Sequence, residues 1–349
     1  MKRVTIKDIA KHLTISVSTV SRALTDDKNI RTETRDKVRA AAKELGYKPN
    51  PVATNLKFGR TNTVGVIVPE MTTPFASQVI GGVQEVLTKE GIKVVIAESH
   101  ESWEQERENI KTMERFMVDG ILVSLCDYER NRESYIELMK QGMPIVFFDR
   151  IPHRMNVSQV IVDDYIKSFF LTEHLLRSGR KRIVHLEGPT YVYNSVERAK
   201  GYRDALAKFK ADSSKELMIR SGLSFEAGAE AVDQLIEQGI EFDALFAFTD
   251  TLAIGAMNRL RELGRAIPKD VAIASFSGTT LSTIVYPQLT TVEPPLRQIG
   301  QHAAKLIVEK IKDPNSPTRS IVLDAEIVLR ASSEDPSEEL YTTDSVGRR

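Results

Sequence analysis

Four polar side chains near the N-terminus have the chemistry needed to hydrogen-bond to nucleic acid. Ser18, Thr19, Ser21 and Arg22 lie within the segment VSTVSRAL. Arginine carries a planar fork of donors that matches the O6 and N7 acceptors of guanine in the major groove, and short hydroxyl groups reach phosphates or base edges. Such residues also occur on ordinary solvated helices, so their meaning depends on the elements that position them.

Two short amphipathic helices joined by a tight connection would present these side chains. Apolar residues recur with helical spacing over residues 6–13 and again over residues 17–24. Only residues 14–16 separate the two segments, and so short a connection predicts a helix-turn-helix. In the second helix the predicted inward positions are Val17, Val20 and Leu24.

The predicted helices begin at suitable capping residues. Thr5 precedes the first helix with Asp8 three residues on, and Ser16 precedes the second. A third helix is predicted over residues 32–45, where Gly46 ends it. Such a three-helix domain would let the outer face of the second helix enter the DNA major groove.

The distribution of charge agrees with this interpretation. Residues 1–60 contain 14 Lys and Arg against 6 Asp and Glu, a net charge of +8, whereas the whole chain is neutral and residues 61–349 therefore carry −8. A basic segment on an acidic body is the electrostatic pattern of a nucleic-acid-binding domain. The alternative is a small three-helix domain with a basic, solvated surface.

The N-terminal residues resemble a known family. VTIKDIAKHLTISVSTVSRAL, followed by TRDKVRAAAKELGYKPNPVATNL, is similar to the head and hinge of the LacI/GalR family of bacterial transcription regulators. The resemblance continues without a gap to about residue 60 and, more weakly, through the body to about residue 330. It implies a helix-turn-helix DNA-binding domain over residues 1–48 and a hinge over residues 49–60.

Twelve residues of the head and hinge are predicted to contact DNA. They are Thr5, Ser16, Val17, Ser18, Thr19, Ser21, Arg22, Asn29, Thr32, Asn50, Ala53 and Leu56. In the family a short hinge helix wedges a leucine into the minor groove, which implies that role for Leu56. A flexible linker is the alternative, but the hinge has Ala and Leu where such a linker has Gly and Ser.

The body alternates apolar strand-like runs with helical patterns, which predicts parallel βαβ units. The predicted strands cover 64–69, 92–99, 120–125, 144–149, 160–164, 182–188, 217–222, 244–250 and 271–277. The predicted helices cover 75–90, 104–118, 132–141, 165–178, 195–210, 225–238, 250–263 and 295–312. So many strands could form one barrel or two sheets, and the break near residues 149–160 favours two.

The resemblance implies an effector-binding and dimerisation domain over residues 61–331, built of two parallel-sheet lobes like a periplasmic sugar-binding protein. The N-terminal lobe would comprise residues 61–158 and 291–320, and the C-terminal lobe residues 159–290 and 321–331. The polar tail, residues 332–349, is predicted to be disordered and lacks the leucine heptads of a tetramer.

A ligand in such a body would lie between the lobes, at the carboxyl ends of the strands. The segment SVERAKGY resembles the family element that supplies a ligand-binding arginine, which makes Arg198 the main candidate. A guanidinium fork suits vicinal hydroxyls or a carboxylate. The predicted effector-binding residues are Pro74, Phe75, Ser124, Asp149, Arg198, Leu223, Thr249, Asp250 and Ser277.

Three positions depart from the family pattern. Ser277 replaces an aspartate that binds sugar hydroxyls, Thr249 replaces an asparagine, and Leu223 occupies the position of a stacking aromatic residue. Phe225, two residues on, could supply the missing ring. For each predicted cleft residue the alternative is an ordinary loop polar group or, for an aspartate, a helix cap.

No motif predicts a catalytic, cofactor or metal site. Cys126 is the single cysteine, which excludes an intramolecular disulfide and a cysteine-based zinc site, and it is predicted to be buried. The six histidines are scattered without helical metal spacing. No apolar run approaches a bilayer span, so a cytoplasmic location without membrane contact is predicted.

These observations predict a DNA-binding transcription regulator, a repressor, that acts as a homodimer on a pseudo-palindromic operator. Its small-molecule effector is predicted to be a carbohydrate, and a purine or other non-sugar corepressor is the alternative. A transporter's sugar-binding protein and an α/β enzyme are the competing classes. The basic head argues against both, and the lack of a catalytic set argues against the enzyme.

Overall fold

The computed structural model describes residues 4–47, 60–214 and 217–334. The chain divides into two compact units, a head up to Thr61 and a body from Asn62. The predicted hinge contacts Asn50, Ala53 and Leu56 lie outside the described residues, as does the predicted tail from residue 335 onward. At the start of that tail the prediction of disorder is wrong, because Ser332 and Ser333 are buried and the Ser332 hydroxyl donates to the Ile273 carbonyl.

The head consists of three helices, α1 (Ile6–Leu13), α2 (Val17–Leu24) and α3 (Thr32–Glu44). They share a small apolar core, whose fully buried members are Ile9, Val20, Ala23 and Val38. The predicted inward position of Val17 is wrong, because this side chain is 38% exposed. The buried positions of α2 are Val20 and Ala23, so Val17, a turn earlier at the helix start, is left at the edge of the core.

The described part of the body contains twelve strands and nine helices. The strands are β1 (Thr63–Val68), β2 (Lys93–Glu98), β3 (Gly120–Val123), β4 (Ile145–Phe148), β5 (Ser158–Val162), β6 (Ile183–Glu187), β7 (Met218–Arg220), β8 (Ala244–Ala247), β9 (Ala272–Phe276), β10 (Thr290–Glu293), β11 (Ser320–Leu323) and β12 (Glu326–Val328). The helices are α4 (Pro74–Lys89), α5 (Trp103–Arg115), α6 (Arg132–Lys140), α7 (Asp164–Arg177), α8 (Tyr193–Phe209), α9 (Phe225–Glu237), α10 (Asp250–Glu262), α11 (Leu281–Ile284) and α12 (Leu296–Lys312).

The strands form two six-stranded sheets, one in each lobe. Their orders are β11-β5-β4-β3-β1-β2 and β12-β10-β9-β8-β6-β7. Every pairing is parallel except that of β10 with β12. Fully buried Val, Ile, Leu and Phe residues fill the central strands, as expected for sheets covered by helices on both faces.

The sheet pairing corrects the predicted lobe boundaries. Strand β5 pairs with β4 in the first sheet, although residues 159 onward were assigned to the second lobe. Strand β11 also pairs with β5 in the first sheet, although residues 321–331 were predicted in the second lobe, whereas β12 pairs in the second sheet. Strand β10 pairs with β9 in the second sheet, although residues 291–320 were predicted in the first lobe. The break near residues 149–160 is a connection within the first sheet, and the chain leaves that lobe only after Val162.

The predicted return of the chain to the first lobe is confirmed by α12, which packs against α4. Two glycines permit this close approach. A Cβ atom on Gly82 would lie 2.1 Å from the Arg297 carbonyl oxygen, and one on Gly300 would lie 2.0 Å from the Val79 carbonyl oxygen. The sheet orders also show that the chain crosses between the lobes three times, after β5, β10 and β11. These three segments join the two walls of one cleft.

Candidate DNA-binding surface and effector cleft

Helix α2 begins at a serine that organises its first turn. The Ser16 Oγ accepts a hydrogen bond from the Thr19 amide at 3.0 Å, as predicted for an N-cap. The same oxygen lies 2.7 Å from Ser18 Oγ and 2.8 Å from Thr19 Oγ1. Three hydroxyl groups thus lie together at the amino end of α2, where the helix dipole favours a phosphate.

The outer face of α2 is open to solvent. Ser18 and Arg22 are exposed, and the Arg22 guanidinium has no hydrogen-bond partner among the described residues. The nine predicted DNA contacts within the described part of the head are all exposed or half-buried; they are Thr5, Ser16, Val17, Ser18, Thr19, Ser21, Arg22, Asn29 and Thr32. A contact of Arg22 with DNA would therefore cost no internal hydrogen bond.

A cleft of about 710 Å³ lies between the two lobes of the body. It opens where the parallel strands of both sheets end, as expected for a ligand site of this architecture. Its lining comprises Glu70, Thr72, Thr73, Pro74, Phe75, Glu101, Asp149, Arg150, Asn194, Arg198, Leu223, Ser224, Phe225, Phe248, Thr249, Asp250, Thr251, Ser277, Thr279 and Leu281. Of the nine predicted effector residues, only Ser124 is missing from this lining; it is buried behind Asp149, whose Oδ2 lies 3.5 Å from the serine hydroxyl.

Asp149 ends β4 and connects the two walls of the cleft. Its backbone has a left-handed φ of 56°, and its Oδ1 accepts a hydrogen bond from Asn194 Nδ2, on the opposite lobe, at 3.2 Å. Burial raises the pKa of Asp149, and the positive charges of Arg150 and Arg198 oppose that rise. This carboxyl group is therefore available to a ligand and is also coupled to the distance between the lobes.

Arg198 reaches the cleft from α8 but is held tightly by the protein. It is 5% exposed, its Nε donates to Asp164 Oδ1 at 2.7 Å, and its Nη1 donates to the Phe248 carbonyl at 2.6 Å. Its guanidinium carbon also lies 3.6 Å from the centre of the Phe276 ring. Burial raises the pKa of Asp164 to about 6, an effect that Arg198 opposes. Only Nη2 of Arg198 has no hydrogen-bond partner among the described residues.

Asp250 lines the cleft, but its carboxylate is already satisfied by the protein. It accepts hydrogen bonds from the hydroxyls of Ser275 at 2.7 Å, Thr291 at 2.8 Å and Thr279 at 3.0 Å, and from the Thr279 amide at 2.8 Å. Asp250 therefore anchors the loop after β9, which carries Ser277, a residue whose hydroxyl makes no hydrogen bond to the described residues.

Thr249 is the N-cap of α10, where its Oγ1 accepts from the Leu252 amide at 3.4 Å. The structure thus gives Thr249 a helix-capping role, which had been predicted as an alternative only for aspartate. Leu223 lies half-buried in the lining, and Phe225 is 41% exposed there. The ring of Phe225 is therefore in a position to stack on a ligand.

Several lining residues were not among the predicted ligands. Glu70 follows β1, Glu101 follows β2, Arg150 follows Asp149 and Asn194 lies in the first turn of α8. The first three are polar residues just beyond the carboxyl end of a predicted strand. The expectation that a ligand lies at these strand ends could therefore have identified them from the sequence. Asn194 has no such signal, because the loop before α8 separates it from β6.

The described residues contain no group of three or more His, Cys, Asp or Glu that could hold a metal ion. Cys126 is buried, as predicted, and burial raises the pKa of its thiol. No helix within the described ranges is long and apolar enough to cross a membrane.

Comparisons with known proteins match parts of both the head and the body. The sequence model described as bacterial regulatory proteins, lacI family, matches residues 5–50, and that of a periplasmic binding protein-like domain matches residues 172–333. The HTH-type transcriptional repressor PurR of Vibrio atlanticus is 31% identical over 328 residues, which cover 94% of this chain and 98% of the relative.

One further relative is named for the ribose operon, and another is described in complex with a sugar. The ribose operon repressor of Haemophilus influenzae is 29% identical over 328 residues, covering 94% of this chain and 98% of the relative. A solved structure of the transcriptional regulator CelR in complex with cellobiose superposes with a TM-score of 0.73 at 28% identity, covering 95% of this chain and all of that one. The chain belongs to the LacI family of bacterial regulatory proteins, and it is a DNA-binding transcriptional repressor rather than an enzyme.

Proposed function

We propose that this repressor acts as a homodimer on a pseudo-palindromic operator and that a carbohydrate bound in the interlobe cleft controls it. The observation that carries the effector proposal is the lining of the cleft, which is rich in hydrogen-bonding groups but has no uncompensated positive charge.

Charges in the lining are matched by partners on the protein. The Arg198 guanidinium pairs with Asp164, and that of Arg150 pairs with Glu101. Glu70 lies with Thr72 and Thr73, whose amides donate to its carboxylate at 2.7 and 3.0 Å. A neutral ligand with many hydroxyl groups fits such a lining, since it needs donors and acceptors but no counter-charge.

Specific polar atoms remain available to that ligand. Among the described residues, Arg198 Nη2 and Ser277 Oγ have no hydrogen-bond partner, and Asp149 accepts from the protein only at 3.2 and 3.5 Å. Phe75 and Phe225 add apolar faces of the kind that pack against a sugar ring. The sugar names of two relatives support the same ligand class.

A purine or another planar, non-sugar corepressor is the second candidate. Three phenylalanine rings line the cleft, Phe75, Phe225 and Phe248, and planar heterocycles stack on such rings. A relative named PurR is consistent with this alternative. The two candidates differ in the expected direction of control, because a corepressor would strengthen operator binding.

The coupling between ligand and DNA would run through lobe closure. Asp149 and Asn194 form a hydrogen bond across the cleft, so a ligand that contacts either residue changes the relative free energies of the open and closed lobes. The effector acts only through its difference in affinity between these states.

A thermal-shift screen against sugars, sugar phosphates and purines tests the effector class, since a ligand of the native state raises the melting temperature by mass action. We expect a shift from a neutral sugar and weaker operator binding in its presence. A shift from purines alone, with stronger operator binding, would support the second candidate instead. Light scattering of the free protein and of its operator complex tests the dimer.

A further inference from the structure

The Glu101–Arg150 ion pair in the wall of the cleft has a geometry that points to selection by charge. Resting on the proposed function, we propose that Glu101 is a specificity-determining residue: it occupies the donors of Arg150 and thereby excludes anionic ligands, such as sugar phosphates, from a site that takes neutral carbohydrate.

The pair is bidentate and largely withdrawn from solvent. Arg150 Nη1 donates to Glu101 Oε2 at 2.7 Å, and Arg150 Nη2 donates to Glu101 Oε1 at 2.9 Å. The two side chains are 13% and 24% exposed. Both terminal nitrogens of Arg150, which would otherwise form a fork for a phosphate, are therefore already used.

The backbone places the two residues with unusual conformations. His100 and Glu101 are consecutive left-handed residues, with φ of 49° and 54°, and Asp149 before Arg150 has φ of 56°. Residues other than glycine adopt this region at a cost in free energy, and they keep it only where their surroundings require it.

Main-chain hydrogen bonds hold the two partners on their loops. The Glu101 amide donates to the Pro69 carbonyl at 3.0 Å, and the Arg150 carbonyl accepts from the Leu125 amide at 3.1 Å. Each partner is thus anchored to a neighbouring strand end of the first sheet. The ion pair is a built feature of the cleft wall rather than a chance surface contact.

The remaining charges of the cleft strengthen the exclusion. Its lining contains four carboxyl groups, Glu70, Glu101, Asp149 and Asp250, and two guanidinium groups, Arg150 and Arg198. Arg198 is paired with Asp164, so neither arginine offers an unpaired cation. A phosphate would meet like charge in a partly desolvated site, which opposes binding strongly.

Replacing Glu101 with glutamine tests this assignment, because Glu101→Gln removes the charge while keeping the shape of the side chain. Inorganic phosphate is the probe, titrated against chloride at constant ionic strength, with binding measured by calorimetry and thermal shift. We expect Glu101→Gln to bind phosphate at least about tenfold more tightly than the unaltered protein does. Phosphate binding unchanged in a folded Glu101→Gln protein that still binds operator would overturn the proposal.

Matched variants separate charge in the cleft from charge elsewhere. Glu104→Gln removes the same charge three residues away, outside the lining, and should leave phosphate binding unaltered. Glu101→Asp keeps the carboxylate and should keep phosphate out. The double variant Glu101→Gln/Arg150→Gln should lose the gain, since the guanidinium that accounts for it is gone. Equal gains in Glu101→Gln and Glu104→Gln would contradict the proposal.

A measurement on the unaltered protein needs no variant to fold. The neutral sugar identified in the screen and its own phosphate ester are compared, and the ester should bind at least about tenfold more weakly. An ester that binds as tightly as its parent sugar would refute the role of Glu101 but leave the carbohydrate proposal standing. If no sugar binds while Glu101→Gln gains phosphate, the carbohydrate proposal fails and the charge exclusion stands.

Discussion

Arg22 in the head and Arg198 in the body are the same side chain held in opposite ways. Arg22 is exposed and has no partner among the described residues, whereas Arg198 is nearly buried between Asp164, the Phe248 carbonyl and the Phe276 ring. A DNA contact from Arg22 would replace only water. Arg198 could use only its Nη2 to contact a ligand, because its Nε and Nη1 already donate to Asp164 and to the Phe248 carbonyl within the second lobe.

This difference extends to the two functional regions. The head presents side chains from one short helix to solvent, and its function depends on what they can reach. The cleft is formed by loops from both sheets, and most of its polar groups bind one another first. A change in the head should therefore alter recognition without altering the fold, and a change in the cleft should alter both.

Arg198→Ala is expected to give the largest effect in this comparison. It leaves the buried Asp164 carboxylate unpaired, and breaking a buried ion pair in this way costs about 3–5 kcal/mol of unfolding free energy. Urea unfolding followed by far-ultraviolet circular dichroism reports on the helices of both the head and the body, and the fluorescence of Trp103, the single tryptophan, reports on the body. Arg22→Ala is the matched control and should change stability by less than about 0.5 kcal/mol. If both variants were equally stable, the ion pair of Arg198 with Asp164 would make no net contribution to the unfolding free energy.

His185 provides a pH test of the region behind Arg198. Burial lowers its pKa to about 4, and the positive charge of Arg198 adds to the lowering. The hydrogen bond from its Nδ1 to the Phe246 carbonyl, at 2.9 Å, opposes the lowering. Because the folded-state pKa lies below the ordinary value of about 6.5, the unfolded state binds a proton on His185 before the folded state does as the pH falls. The unfolding free energy is therefore largest above pH 6.5 and decreases as the pH falls towards 4.

The stability advantage of the unaltered protein over His185→Phe should therefore shrink by about 3 kcal/mol between pH 7 and pH 4. Denaturant unfolding of both proteins across this range measures it. Parallel pH profiles would show that His185 becomes protonated as easily in the folded state as in the unfolded one.

The head was predictable because its information is local. Helices α1 and α2 begin and end at the predicted residues, and the Ser16 cap is confirmed. Spacing within eight residues was enough to define each face. The error at Val17 arose at a helix end, where burial depends on how far the neighbouring helices extend.

The body was predictable in its elements but less so in its pairing. Strand β11 joins the first sheet through pairs such as Ser320 with Gln159, which are far apart in the chain. No local pattern specifies such a partner. For the same reason the Glu101–Arg150 pair was missed, and nothing in the residues around Asp250 indicated that Ser275, Thr279 and Thr291 would satisfy it.

Arg22→Ala tests the recognition half of the comparison. Losing a bidentate contact to a base costs about 1–3 kcal/mol, which corresponds to roughly 5- to 150-fold weaker operator binding, while binding to unrelated duplexes should change far less. Fluorescence anisotropy at fixed salt, with an operator selected from random duplexes, measures both affinities. Arg39→Ala removes an exposed charge from α3, where Arg39 pairs with Asp26. This variant should weaken binding to the operator and to unrelated duplexes by the same factor. If Arg22→Ala lowered the affinity for the operator and for unrelated duplexes equally, Arg22 would contact phosphates rather than bases.

Ser16→Ala is expected to give the smallest effect and the most local one. The Ser16 Oγ is the hydrogen-bond acceptor of the Thr19 amide, and losing an N-cap of this kind costs about 1 kcal/mol. That amide should therefore exchange its hydrogen roughly fivefold faster, whereas amides of the body should not change, and Ser16→Thr should restore the protection. Operator binding should weaken as well, because Ser16 also orders the hydroxyls of Ser18 and Thr19. If operator affinity fell in Ser16→Ala while the Thr19 amide stayed protected, Ser16 would act by touching DNA itself rather than by fixing the helix that does.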